Sequence, residues 1–127
     1  MAKAARANPS RGEHELTLAG ISYVLRPSFA ACSEIENTLD MSLIEVFRVA
    51  NTMSLTYEQI GVILAALIRA GAQDDLTRNV NAERLAELVF EDGVGKAVAV
   101  LIFVLADAIS GGRDVSGEAK AQANPTT

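Results

Sequence analysis

Residues that commonly build reactive centres are scarce in this chain of 127 residues, which has no tryptophan, one cysteine and one histidine. A single cysteine, Cys32, cannot form a disulfide within the chain, so nothing in the sequence indicates an oxidising compartment. His14 lies between Glu13 and Glu15, but alternate side chains on a strand point to opposite faces, and a metal site needs three or four converging ligands. We therefore expect Cys32 to be a small buried hydrophobe and His14 to be a solvated strand residue.

The sequence also lacks the patterns that indicate catalysis or a bound cofactor. The glycine-rich stretch 93–96 is not a phosphate-binding loop, because Phe90 and Ala97 occupy the positions that require glycine and a hydroxyl residue. Glu83 and Glu87 would share one helical face, where carboxylates usually line a solvated surface. We expect no catalytic, cofactor-binding or metal-binding residues and no cofactor, and hence a protein that is not an enzyme.

Positive charge is scarce in the body of the chain. The formal net charge is −5, and all 16 acidic residues lie after residue 12, whereas Lys3, Arg6 and Arg11 precede it. Affinity for DNA or RNA depends on lysine and arginine neutralising phosphates, so an acidic body is a poor nucleic-acid binder. We therefore expect no nucleic-acid partner.

Long apolar runs are also missing. The longest one, AVAVLIFVLA at residues 97–106, belongs to a predicted helix over residues 94–109. Such a helix rises only about 24 Å, which is short of a hydrocarbon core of roughly 30 Å, so we expect no membrane span. Residues 1–12 are basic but precede no apolar stretch, so the sequence predicts no signal peptide and a cytoplasmic location.

Strict alternation is the clearest pattern that is present. In RGEHELTLAGISYVLR, residues 11–26, the apolar residues Leu16 and Leu18 precede a turn containing Gly20, and Tyr23 and Leu25 follow it. This pattern predicts a β-hairpin with one apolar face. A lone hairpin is marginal in water, so we expect Leu16, Leu18, Tyr23 and Leu25 to be covered by the helices that follow.

Helix-capping residues mark the rest of the chain. Serine, threonine or asparagine precedes most of the helical patterns, and Glu45 and Gln59 stand where a capping box places them. The predicted helices begin after Ser28, Ser42, Thr56, Asn81 and Gly93. Gly71 is expected to end the third helix as the residue beyond its last turn, and residues 72–80 to form a polar connection.

The predicted fold is α+β and mostly α, with an N-terminal two-stranded β-hairpin packed on a bundle of about five short helices. Residues 13–110 are expected to form a single domain. The flanking segments 1–12 and 111–127 have no apolar period and are expected to be disordered.

The last predicted helix is apolar around its whole circumference. A helix of this kind is buried on every side or inserted in a membrane, and so small a domain cannot easily cover every face. We therefore expect one face to be exposed for a partner or for a second copy of the chain. The candidate partner surface consists of Val98, Leu101, Ile102, Phe103 and Leu105.

Several short motifs, taken in order, resemble those of one family. The chain is similar to the small tail assembly chaperones of gene transfer agents and related long-tailed phages, which are also described as tail tube proteins. The resemblance covers about residues 11–106. The matching residues are Arg11-Gly12-Glu13, Leu16 and Leu18, Gly20, Tyr23, Leu25-Arg26, Glu34-Ile35-Glu36, Ile60, Leu64, Leu67 and Ala70-Gly71.

The resemblance implies a role without catalysis. Tail assembly chaperones bind the tape-measure protein, a long and largely helical chain, and keep it soluble in the bacterial host cytoplasm until tube subunits polymerise around it. They are absent from the finished particle. The implied partners are the tape-measure protein, with the tail tube protein or a second copy of the chain as further candidates, and recognition would place a helix in a groove.

Three other classes of function compete with the chaperone. A structural subunit of the tail tube usually needs more strand than one hairpin to build a ring of sheet. A small regulatory nucleic-acid binder is disfavoured by the acidic body, and no predicted helix carries a basic face. An enzyme is disfavoured by the missing catalytic patterns.

Overall fold

A computed structural model describes residues 6–9 and 12–120 and gives an α+β fold that is mostly α, as the sequence predicted. A hairpin at the N-terminus precedes a series of helices, one of which is a single turn. The elements are β1 His14–Leu18, β2 Ile21–Leu25, α1 Phe29–Leu39, α2 Leu43–Asn51, α3 Tyr57–Gly71, α4 Asp75–Arg78, α5 Ala82–Asp92 and α6 Val94–Ser110.

The two strands form an antiparallel sheet in which Leu16 lies opposite Tyr23 and Leu18 opposite Ile21. The turn between them places Ala19 and Gly20 at positive φ, 50° and 77°, which matches the twist of a two-residue hairpin. Leu16, Leu18, Tyr23 and Leu25 are all buried, so the prediction of one covered apolar face is confirmed.

The predicted caps start the helices. The side chains of Ser28, Ser42 and Asn81 accept hydrogen bonds from backbone amides in the first turns of α1, α2 and α5. Thr56 forms a complete capping box with Gln59 at the start of α3. The capping box predicted at Ser42 is only half formed: Ser42 accepts a hydrogen bond from the amide of Glu45, but the side chain of Glu45 pairs with Arg48 instead.

Helix α3 lies at the centre of the core, with nine buried residues against five in the longer α6. It contacts α1, α5 and β2, and two glycines allow the close approaches of α5 and β2. A Cβ on Gly61 would lie 2.3 Å from the backbone oxygen of Ala82, and one on Gly71 would lie 2.8 Å from that of Val24. Gly71 is the last residue of α3 rather than the residue beyond it, so its predicted capping role is replaced by a packing role.

Two segments hold more structure than the sequence predicted. The polar connection 72–80 contains the one-turn helix α4, which Asp74 caps through the amide of Thr77. Residues 111–120 were assigned from the sequence to a disordered segment. Within it, Arg113 and Ala119 form an isolated β-bridge, and the carbonyl of Val115 connects the segment to the domain by accepting a hydrogen bond from the amide of Phe29 at 2.9 Å. Of the segments 1–12 and 111–127 that were predicted to be disordered, residues 1–5, 10–11 and 121–127 lie outside the described residues.

Candidate functional site

The predicted partner surface on α6 divides between the core and the outside. Val98, Leu101 and Leu105 are at most 1% exposed, because α2, α5 and β1 pack against this side of the helix, so they are not accessible in the folded chain. Ile102 is half-buried, and Phe103 is 71% exposed. Of the five predicted residues, Phe103 and part of Ile102 therefore remain accessible on α6, and a binding role for them stays a prediction.

A second apolar surface, which the sequence did not predict, is the α3–α5 groove. This open groove of about 660 Å³ is lined by Tyr57, Glu58, Val62, Ala82, Glu83, Ala86, Glu87 and Phe90. The rings of Tyr57 and Phe90 meet edge to face at one end, with centroids 5.5 Å apart. Gly61 lets the two helices approach at the other end, and the short side chains of Ala82 and Ala86 leave the floor open.

The α3–α5 groove has an acidic rim. Its lining includes the three carboxylates of Glu58, Glu83 and Glu87 and no basic side chain. Arg84 lies beside the groove, where it bonds Glu87 at 2.9 Å and Glu91 at 3.5 Å. Among the described residues, Glu58 and Glu83 are exposed and take part in no ion pair. The rim is therefore negative and open to a partner.

Another, smaller concavity of about 300 Å³ surrounds Cys32 between α1 and the segment after α6. Burial, with a smaller contribution from the charge of Glu36, raises the pKa of the Cys32 thiol to about 11. Such a thiol is almost wholly protonated near neutral pH and is a weak nucleophile. Its environment is that of a packing residue.

His14 differs from its prediction, because it is half-buried and contacts a helix rather than solvent. Its Nε2 lies 3.0 Å from Oδ2 of Asp107 on α6, and the same carboxylate accepts a hydrogen bond from Arg113 at 2.6 Å. This cluster has one acidic and two nitrogen-bearing side chains, which suits an ion-pair network. Across residues 6–9 and 12–120 no group of three or more His, Cys, Asp or Glu side chains could hold a metal ion.

None of the described helices is both long and apolar enough to cross a membrane.

No curated protein and no solved structure matched the chain. A family model, described as phage tail tube protein, GTA-gp10, matches residues 11–111. The chain belongs to this family. Its relation to phage and gene transfer agent tails agrees with the resemblance seen in the sequence, whereas the family description names a tube protein and not a chaperone.

The sequence contains the residues of the α3–α5 groove but does not show that they form a groove. Tyr57 and Phe90 lie in the first turn of α3 and the last turn of α5, Gly61 lies on α3, and Ala82 and Ala86 are one helical turn apart on α5. Each is an ordinary helix position in the sequence, because periodicity does not indicate which two helices are neighbours. The pairing of α3 with α5 had to be known before the groove could be recognised.

Proposed function

We propose that this phage-tail family member is a non-enzymatic tail assembly chaperone that binds the tape-measure protein and keeps it soluble during tail morphogenesis. The observation that carries the proposal is the position of α3 against the hairpin. The amide of Arg26 donates a hydrogen bond to the carbonyl of Leu67 on α3, and Gly71 packs on the backbone of Val24. The C-terminal end of the β2 edge is therefore covered by α3.

A covered edge matters because a ring built from continuous sheet is a head-to-tail assembly, in which each subunit pairs through both edges of its sheet. The described residues contain two strands, and α3 would have to move before β2 could pair with a neighbour. Apolar side chains left open on helices, including Tyr57, Phe90 and Phe103, suit the transient binding of another helical chain.

The tail tube component is the second candidate, and the description of the family favours it. In that role the protein would remain in the particle and would contact neighbouring tube subunits through β1. The two candidates differ in the partner that is bound and in the fate of the protein after assembly.

Co-expression tests the chaperone. The tape-measure protein is produced in bacteria alone, with this chain, or with an unrelated acidic helical protein of similar size. We expect the tape-measure protein to move from the pellet to the supernatant and to co-purify only with this chain. Equal solubility in all three cultures would contradict the proposal.

A further inference from the structure

We propose that the α3–α5 groove binds an amphipathic helix whose apolar stripe is flanked by lysine or arginine. Only the identity of the protein that carries this helix rests on the proposed function. The groove, its shape and its charge are properties of α3 and α5 themselves.

The shape fits about two turns of a helix. From Ala82 to Phe90 the wall of the groove is about 12 Å long at 1.5 Å per residue. Val62, Ala82 and Ala86 form a low apolar floor, and Tyr57 and Phe90 close one end with an aromatic wall. A docked helix would place apolar residues three and four positions apart on the floor, and the aromatic wall would contact the last of them.

Charge decides which helix would be preferred. Glu58 stands on the α3 side, and Glu83 and Glu87 stand on the α5 side, so carboxylates face the docked helix from both walls. Basic residues beside the apolar stripe would meet these carboxylates at the rim. Acidic residues there would be repelled, and such repulsion is an effective source of specificity.

A second copy of the chain does not supply this occupant. Each basic side chain on its helices already pairs with a carboxylate of the same chain, so none of the described helices presents an unpaired basic face. The pairs are Arg48 with Glu45, Arg69 with Glu34, Arg78 with Asp75, Arg84 with Glu87, and Lys96 with Asp92. Because none of the described helices in a second copy offers an unpaired basic face, we expect the charge complement to come from a different protein.

The test uses two stapled, fluorescently labelled helices of about 15 residues, because shorter free helices are marginal in water. Both carry the same leucine stripe, flanked by lysine in one and by glutamate in the other. Fluorescence anisotropy with the full chain should show at least about tenfold tighter binding of the lysine helix at low salt, and this ratio should shrink as salt is added.

Two matched pairs of variants locate the site. Glu58→Gln with Glu83→Gln raises the net charge by the same amount as Asn37→Lys with Thr38→Lys, which are exposed on α1. The first pair should weaken binding of the lysine helix about fivefold, and the second should leave it within about twofold. Phe90→Ser should weaken binding about tenfold, whereas Phe103→Ser should not, although the two rings are 69% and 71% exposed.

The proposal is wrong if the lysine helix does not bind, if both helices bind equally well, or if Phe103→Ser rather than Phe90→Ser weakens binding. A thermal melt of each variant excludes unfolding as the cause of lost binding. If the protein solubilises the tape-measure protein but does not bind the lysine helix, the groove proposal is wrong and the proposed function stands. If the protein binds the lysine helix through the groove but does not solubilise the tape-measure protein, the proposed function is wrong and the groove proposal stands.

Discussion

At the scale of single residues, the cluster of His14, Asp107 and Arg113 shows what a sequence conceals. His14 and Asp107 are separated by 93 positions and meet only because β1 lies against α6. Burial favours the neutral form of Asp107, but hydrogen bonds from Arg113 and His14 outweigh it and hold the pKa of this carboxyl below its usual value. The prediction of a solvated His14 was wrong because it was based only on the flanking residues, which do not show that β1 packs against α6.

Asp107→Asn tests the contribution of this carboxylate to stability. A lowered pKa in the folded chain means that the ionised form stabilises the fold at neutral pH, and that this stability is lost as the pH falls below about 4. At pH 7 we expect Asp107→Asn to cost about 1 kcal/mol, discounted for partial exposure, or about 4 °C in Tm. Melts between pH 7 and pH 3 should show this difference shrinking.

The control is Asp75→Asn, because the side chain of Asp75 is 93% exposed and, among the described residues, pairs with Arg78 alone, a neighbour on the same short helix. We expect it to change Tm by about 1 °C or less at either pH. A Tm difference between Asp107→Asn and the parent that stays constant down to pH 3 would show that Asp107 acts through packing and not through its charge.

At the scale of elements, the starts of the helices could be predicted from the capping residues, but the buried face of α6 could not be predicted. Side-chain caps follow from local hydrogen bonding, so Ser28, Thr56 and Asn81 marked helix starts correctly. Helix α6 has apolar residues on every side, so its periodicity could not indicate which face meets α2. The segment 111–120 has little apolar content and is held by individual contacts, such as the ion pair of Arg26 with Glu118.

Substitutions at two adjacent residues of α6 test which side of this helix is buried in the core. Phe103→Lys should change the free energy of unfolding by about 0.5 kcal/mol or less, because the ring is exposed. Val104→Lys should cost several kcal/mol, since Val104 is fully buried and a lysine there would bring an unpaired charge into the core. Urea unfolding of both variants provides the comparison, and equal losses would place Phe103 in the core.

At the scale of the whole molecule, the fold class could be predicted from the sequence and the groove could not. Alternation between Leu16 and Leu25 and the successive caps each depend on neighbouring residues, and together they give a hairpin followed by helices. The α3–α5 groove depends on which helices pack together. That choice is made by close contacts such as Gly61 on Ala82, which no local pattern reveals.

The composition of finished particles separates the chaperone from the tube subunit. Because α3 covers the edge of β2 at Val24 and Arg26, we expect the folded chain not to join a ring of continuous sheet. Quantitative mass spectrometry should detect the protein in lysates of particle-producing cells and find it depleted, relative to the tube subunits, at least about a hundredfold in purified particles. The tape-measure protein, which both compartments should contain, is the internal control. A copy number in purified particles comparable with that of the tube subunits would contradict the chaperone and establish the structural role.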